Sequence, residues 1–132
     1  MGDYLMSLIK ANNITNTTGG IPTVKSQQLI PTAWVNFNGT GTVAIQDSEN
    51  VSSITDNGIG DYTITFATAM ANANYSGGGM AANTGMGTVL HWRYSSSPSL
   101  TTTAAHVRTA RNSSEAASDS YIVSIVFMGG QA

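Results

Sequence analysis

The residues of this chain that could carry out chemistry are few and scattered. The two histidines, His91 and His106, each lie in a predicted strand, and neither is part of a His-x-His pair. A zinc or iron site needs three or four converging ligands, and no acidic residue clusters with either histidine. The sequence therefore predicts no metal site and no cofactor. The one remaining route to a metal site is a single histidine that repeats around the axis of a trimer.

The segment most like a calcium loop is Asp56–Asp61. An EF-hand loop needs side-chain oxygens at its third and fifth positions and Glu at its twelfth. Here Gly58 and Gly60 occupy the first two of these positions and Ala67 the last. Because Asn-Gly is a strong hairpin signal, the segment is interpreted as a turn between two strands.

No residue pattern in the sequence supports catalysis. Glycosidases use a pair of carboxylates at a defined separation, and the seven acidic residues lie mostly in predicted turns or strand ends. The chain has no Gly-x-Ser-x-Gly elbow. Gly77–Gly79 lacks the Gly-Lys-Ser/Thr of a phosphate loop. The run is interpreted instead as letting the backbone pass closely at a bend or a subunit contact. No catalytic residue is predicted, and a glycan-cleaving enzyme remains an alternative of another functional class.

The composition excludes several classes of protein. Only 9% of the 132 residues are charged, and the chain carries five basic residues and a net charge of −2. Thr, Ser, Ala, Gly and Asn together make up more than half of the chain. A helical protein is disfavoured because helix-surface types such as Lys, Glu and Leu are scarce. Binding to nucleic acid through phosphates would need a basic stripe, and no apolar run is long enough to insert into a membrane.

The elements that must position these residues are strands. From Thr32 onward apolar and polar residues alternate, as in residues 61–67, where Tyr62, Ile64 and Phe66 share one face. About seven such segments at 8–12-residue spacing predict an all-β fold, an antiparallel β-sandwich (jelly-roll-like) with an extended N-terminal arm. The segment 121–127 is apolar on both faces and is therefore expected to be central or covered by a neighbouring subunit.

The predicted domain boundary lies between an arm, residues 1–31, and a sandwich domain, residues 32–132. The arm consists of short extended pieces interrupted by Pro and Gly, and these cannot bury much surface alone. It is expected to attach to another chain or to a larger assembly through Leu8, Ile9, Ile14 and Ile21. The alternative is an ordinary edge strand with a loose terminus.

Trp92 and Tyr94 share one face of a predicted strand. Aromatic rings on a surface can stack on sugars, but aromatics on one strand face usually pack inward. The favoured interpretation is therefore that both belong to the core.

One stretch is similar to a known family. Residues 33–41 are AWVNFNGTG, residues 50–58 are NVSSITDNG, residues 60–66 are GDYTITF and residues 73–75 are ANY. This string resembles a C-terminal domain of tail-fibre-like and other virion proteins of tailed bacteriophages, and residues 8–19 resemble the stem segment that often precedes it. The recognisable residues look structural: Trp34, Phe37, Tyr62 and Phe66 are expected in the core.

The resemblance implies a bacteriophage virion structural protein on the tail or capsid surface. It implies a non-enzymatic homotrimer that binds other virion proteins and attaches to a glycan or protein of the host surface. Loops within 77–87, 95–99 and 112–120 are expected to face outward and contact the receptor. The candidate receptor-contact residues are Gly78, Asn83, Ser95, Ser96, Ser97, Ser99 and Asn112. The alternative within this class is a capsid decoration or head-fibre protein without a receptor role.

Overall fold

The structure, a computed structural model, describes residues 23–24, 27–28, 31–84, 87–92 and 99–130. The chain divides into two units, Met1–Ile30 and Pro31–Ala132. In the first, β1 (Thr23–Val24) pairs with β2 (Gln27–Gln28) in an antiparallel hairpin. The predicted arm residues lie outside the described residues; these are Leu8, Ile9, Ile14 and Ile21.

The second unit is built from two four-stranded antiparallel sheets. Sheet 1 has the order β4 (Ala44–Glu49), β3 (Ala33–Asn38), β10 (Ile122–Gly129), β7 (Tyr75–Ala82). Sheet 2 has the order β5 (Val51–Gly58), β6 (Asp61–Phe66), β9 (Ala104–Arg111), β8 (Thr88–Trp92). Residues 31–84, 87–92 and 99–130 contain no helix. The predicted all-β antiparallel sandwich is confirmed.

The core lies between the inner faces of the two sheets, and strict alternation along the strands fills it. In β6, Tyr62, Ile64 and Phe66 are buried, while the threonines between them face outward. Phe37 of sheet 1 meets Tyr62 of sheet 2 edge to face, with ring centroids 5.1 Å apart. Such ring pairs contribute about 0.5–1.5 kcal/mol beyond the burial of their area. The aromatic residues of the two sheets therefore hold the sandwich together.

The structure confirms the core positions predicted for three of four aromatic residues of the phage-like stretch. Phe37, Tyr62 and Phe66 are core residues, as expected. The expectation for Trp34 is wrong, because it is half-buried and lies on the outer face of sheet 1. Trp34 and Phe37 are three residues apart in one strand, so their side chains point to opposite faces.

Trp92 is half-buried and packs against the core beside Phe127, with the two ring centroids 6.3 Å apart. The placement of Trp92 in the core region is therefore confirmed. Tyr94 lies outside the described residues.

The predicted hairpin between β5 and β6 is present, but its turn begins two residues later than expected. β5 continues through Asn57 to Gly58, and the turn consists of Ile59 and Gly60. Gly58 and Gly60 have φ angles of 126° and 64°, whereas Asn57 is not among the residues with positive φ. Glycine takes up this left-handed backbone at no steric cost, so it decides where the chain reverses.

The largest error concerns the glycine run. Residues 77–79 were expected in an outward-facing loop, but they lie in the middle of β7, and Gly78 pairs with Val126 of β10. A Cβ atom at Gly77 would lie 2.5 Å from Cη2 of Trp92. Glycine is therefore used here to let the indole of sheet 2 approach the backbone of sheet 1. A propensity scale disfavours Gly in strands and misses this tertiary reason.

Candidate functional site

The strand connections of the sandwich domain lie at two opposite ends. We call the end where residues 31–32 enter the proximal end. There the backbone N–H of Thr32 donates to the carbonyl oxygen of Phe127 at 2.8 Å, and the Thr32 hydroxyl donates to that of Gly129 at 2.7 Å. The other end, which we call the distal end, carries the turns at 39–43 and 59–60, the β7–β8 connection and the β9–β10 loop.

The predicted receptor-contact residues do not form one surface. Asn83 and Asn112 lie at the distal end, in the β7–β8 and β9–β10 connections. Ser99 lies beside the beginning of β9, where its carbonyl oxygen accepts from the His106 N–H at 2.7 Å, and so belongs to the proximal end. Gly78 lies in β7 between the two ends. Ser95, Ser96 and Ser97 are outside the described residues.

Asn83 has a structural task in this arrangement. It is half-buried, and its Nδ2 donates to the carbonyl oxygen of Asp119 at 2.8 Å and to Ser118 Oγ at 3.2 Å. Asn112 is exposed, and its N–H donates to the Gly87 carbonyl oxygen at 2.9 Å. Of the predicted contact residues in the described part, Asn112 is the one that offers an exposed side chain from a distal loop.

Asp119 joins the distal loops into one rigid group, and the sequence analysis missed this role. Its Oδ1 accepts from the Gly60 N–H at 2.7 Å and from the Tyr62 hydroxyl at 3.1 Å. The Tyr62 hydroxyl also lies 2.9 Å from the carbonyl oxygen of Gly39, which it reaches as a donor. Together with the bond from Asn83, these contacts join the β5–β6 turn and the β7–β8 connection to Asp119. The Tyr62 hydroxyl bridges from Asp119 to the turn at 39–43. The sequence signal was a lone acidic residue in a polar loop, which alone predicts nothing.

The Tyr62 hydroxyl is neutral at pH 7 even with the ordinary tyrosine pKa of about 10, and burial keeps it neutral further into alkali. Removal from water, and then the nearby Asp119 carboxylate, raise the pKa of Tyr62 well above its usual range. A neutral phenol keeps its proton for donation to either acceptor. The distal loops are thus joined by a hydrogen-bonded network in which the Tyr62 hydroxyl keeps its proton at neutral pH.

The distal surface carries both neutral and charged side chains, and Asp56, Arg111 and Glu115 are exposed there. Residues 112–116 are exposed, and Glu115, with a φ of 54°, marks the reversal of their loop. Ile59 is 68% exposed at the tip of its turn. Hydroxyl, amide and charged groups beside an isolated aliphatic side chain can both donate and accept hydrogen bonds to a ligand.

A second feature is a cleft between β7 and β8, which form the adjoining edges of the two sheets. We call it the edge cleft. It has a volume of about 520 Å³ and is lined by Gly77, Gly78, Gly79, Leu90, His91, Trp92, Val107 and Ile125. Its floor is apolar, and the backbone of the glycine run forms one wall.

The third feature is the outer face of sheet 1, where apolar side chains of β10 and β7 lie around Asn36 and Ser124. Met80 is 79% exposed, and Ile122, Val126 and Met128 of β10 are 36–39% exposed on the same face. A shallow groove of about 570 Å³ runs between Trp34 and Met80. β10 lies in the middle of its sheet, as its apolar pattern predicted. Contiguous exposed apolar surface of this kind marks interaction sites in soluble proteins.

Two further properties of the described residues bear on ligands. Residues 31–84, 87–92 and 99–130 contain no group of three or more His, Asp and Glu side chains able to hold a metal ion. Nδ1 of His106 instead lies 3.1 Å from the Thr63 hydroxyl on the outer face of sheet 2. Nor does this part of the chain contain a helix long and apolar enough to cross a membrane.

Comparison of the chain with protein-family models, with curated proteins and with solved structures gave no match.

Proposed function

We propose that this chain is a bacteriophage virion structural protein, similar to the tip of a tail fibre. It assembles as a homotrimer and attaches the particle to the host through the distal end of its sandwich domain. The observation that carries the proposal is the position of the stretch similar to phage virion proteins. That stretch covers β3 to β6 and contributes Phe37, Tyr62 and Phe66 to the core.

The direction of the chain supports the choice of the distal end for the host. Residues 31–32 join the sandwich domain at its proximal end, where the Thr32 hydroxyl bonds to the carbonyl oxygen of Gly129. A receptor is reached best from the opposite side, where Asn112 and Ile59 are exposed. The bond from the Gly60 N–H to Asp119 holds the turn that carries Ile59 in place before binding, which lowers the entropy lost on association.

The apolar outer face of sheet 1 supports the oligomer. A single sheet face that exposes Met80, Val126 and Ile122 is disfavoured in water. Burial of this apolar surface against a neighbouring copy removes it from water and contributes about 25 cal/mol of free energy per Å². A trimer would present three copies of the same distal surface to the host, and avidity would then compensate for weak single contacts.

The test is competition for the host surface. The purified full chain is added to cells before the phage that carries it, and we expect it to reduce adsorption. Ser113→Arg, which changes an exposed distal hydroxyl residue, should abolish the competition. Thr102→Arg adds the same side chain at the proximal end and should leave it intact.

The result that would contradict receptor binding is adsorption unchanged by any variant. Imaging of the particle with the chain labelled then decides what remains of the proposal. A label on the capsid, together with unchanged adsorption, would indicate the decoration or head-fibre role. A particle that lacks the chain altogether would overturn the virion role itself.

A further inference from the structure

Three of the four sheet edges carry features that block the addition of another strand. β4 carries Asp47 and Glu49, and the register of its pairing with β3 shifts at Asn36/Phe37. β5 carries Asp56, and its pairing with β6 shifts in two places. β8 is only five residues long. Charges, bulges and shortness are the means by which proteins protect sheet edges.

β7 has none of these features. All eight of its residues pair with β10 in one unbroken register, from Tyr75↔Gly129 to Ala82↔Ile122. Its sequence, YSGGGMAA, contains no charged residue and no proline. Among the described strands, β7 pairs with β10 alone. The edge is therefore regular and uncharged, with nothing in its own sequence to prevent the addition of a strand.

Depressions lie on both sides of this edge, and both are lined by Gly78 and Gly79. The edge cleft lies on the inner side, above Leu90 and Trp92, and the groove of the outer face lies on the other side, beside Met80. A strand added to β7 would point its side chains alternately to the two faces. An occupant with apolar side chains at successive positions would fill both depressions.

One segment of this chain has that pattern. The run Tyr4–Ile9 is YLMSLI, with Tyr4, Met6 and Leu8 at one parity and Leu5 and Ile9 at the other. It carries no charge, and it lies in the arm that precedes the sandwich domain. β1, by contrast, is already paired with β2. The run is therefore suited in pattern and charge to an uncharged edge whose two depressions are lined by Leu90 and Trp92 on one side and by Trp34 and Met80 on the other.

We propose that the edge of β7 takes up the run Tyr4–Ile9 from a second copy of this chain as an added strand. The inference rests on the proposed homotrimer. In it, the arm of each copy binds the next copy and so links the copies together. A head-to-tail exchange of this type closes into a ring when the rotation between copies allows it. The main chain of β7 provides the affinity, and the two depressions select the apolar side chains.

Cysteine cross-linking of the full chain tests the proposal, because the natural sequence contains no cysteine. Gly78 and Met80 point to the outer face, and Met6 and Leu8 share a parity in the run. Six double variants combine Gly78→Cys or Met80→Cys with Leu5→Cys, Met6→Cys or Leu8→Cys, so that both parities of the run are tested. Neighbouring side chains on one face of paired strands lie close enough for a disulfide. We expect at least one combination to convert most of the chain to covalent oligomers on mild oxidation.

The matched control replaces the β7 cysteine with Gln46→Cys, at an exposed position of the protected edge β4. It should give no more cross-linking than the single-cysteine chains. Cross-links formed only within single chains would overturn the exchange between copies. A trimer in native mass spectrometry without cross-links in any combination would overturn the arm exchange and leave the trimer standing. A monomer at micromolar concentration would overturn both.

Discussion

The two sheets share one core but have unlike outer faces. The outer face of sheet 2 is polar, with Asp61 and Thr63 of β6 lying opposite Arg108 and His106 of β9. The outer face of sheet 1 exposes Met80, Val126 and Ile122. Both faces come from a chain with 9% charged residues, so a low charge content does not determine what a surface does. The alternation along each strand decides which face water solvates and which face is suited to a partner.

The largest expected effect belongs to the core that both sheets share. Phe127 is fully buried, and its ring centroid lies 5.3 Å from that of Phe66 and 6.0 Å from that of Tyr75. Phe127→Ala should lower the free energy of unfolding by about 3–5 kcal/mol, measured by urea denaturation. Thr55→Ala, an exposed position of sheet 2, should change it by less than about 0.5 kcal/mol. Equal effects would mean that the inner and outer faces are wrongly assigned.

The contrast between the outer faces should appear in the oligomeric state. Val126→Lys places a charge on the apolar face of sheet 1 and should weaken self-association about 100-fold or more, roughly 2.7 kcal/mol. Thr55→Lys adds the same charge to the polar face of sheet 2 and should leave self-association unchanged. Sedimentation velocity across a dilution series measures both. If both variants weaken the oligomer equally, the apolar face is not the contact.

The glycine run should respond differently at neighbouring positions. Gly77→Ala forces a methyl group against Trp92 and should destabilise the fold by about 1–3 kcal/mol. A Cβ atom at Gly78 meets nothing within 4 Å. Gly78→Ala should therefore be neutral or stabilising by up to about 1 kcal/mol, because it reduces the freedom of the unfolded chain. Denaturation curves of the two variants compare them directly, and a larger loss at Gly78 would contradict the packing of Trp92.

The smallest effect is a loss of stability in alkali. Burial raises the pKa of Tyr75 to about 12, and it also raises that of Tyr62. The fold favours the neutral form of both hydroxyls. Their contribution to the free energy of unfolding is therefore complete below about pH 10, the pKa of tyrosine in the unfolded chain. It is lost as the pH rises toward the folded values.

For Tyr75 the loss should reach about 1 kcal/mol by pH 11. Unfolding measured from pH 8 to pH 11 should therefore show a fall in stability that Tyr75→Phe makes shallower. An identical slope in the variant would show that Tyr75 does not contribute to the pH dependence.

The sequence predicted the fold class because its alternating strands are strongly patterned. Tyr62, Ile64 and Phe66 show the inner face of β6 directly. It failed at β7, where glycine is required by the indole of Trp92 in the opposite sheet, a contact between residues far apart in the chain. It also failed at Trp34, where counting parity from Phe37 would have given the outer face.

The candidate site could be predicted only in part for a related reason. Composition marks Ser99, Asn83 and Asn112 equally as loop residues, but only the strand order determines the end at which each loop lies. The role of Asp119 depends on bonds to residues 57 and 59 positions away along the chain. Neither fact has a local signal in the sequence.

We propose that the sandwich domain belongs to an oligomer assembled through the side that exposes Met80 and Val126. Native mass spectrometry of the full chain at micromolar concentration tests it most directly. We predict one main species of three times the 13.7 kDa chain mass, which Val126→Lys converts to monomer. A wild-type chain that is monomeric under these conditions would contradict the claim.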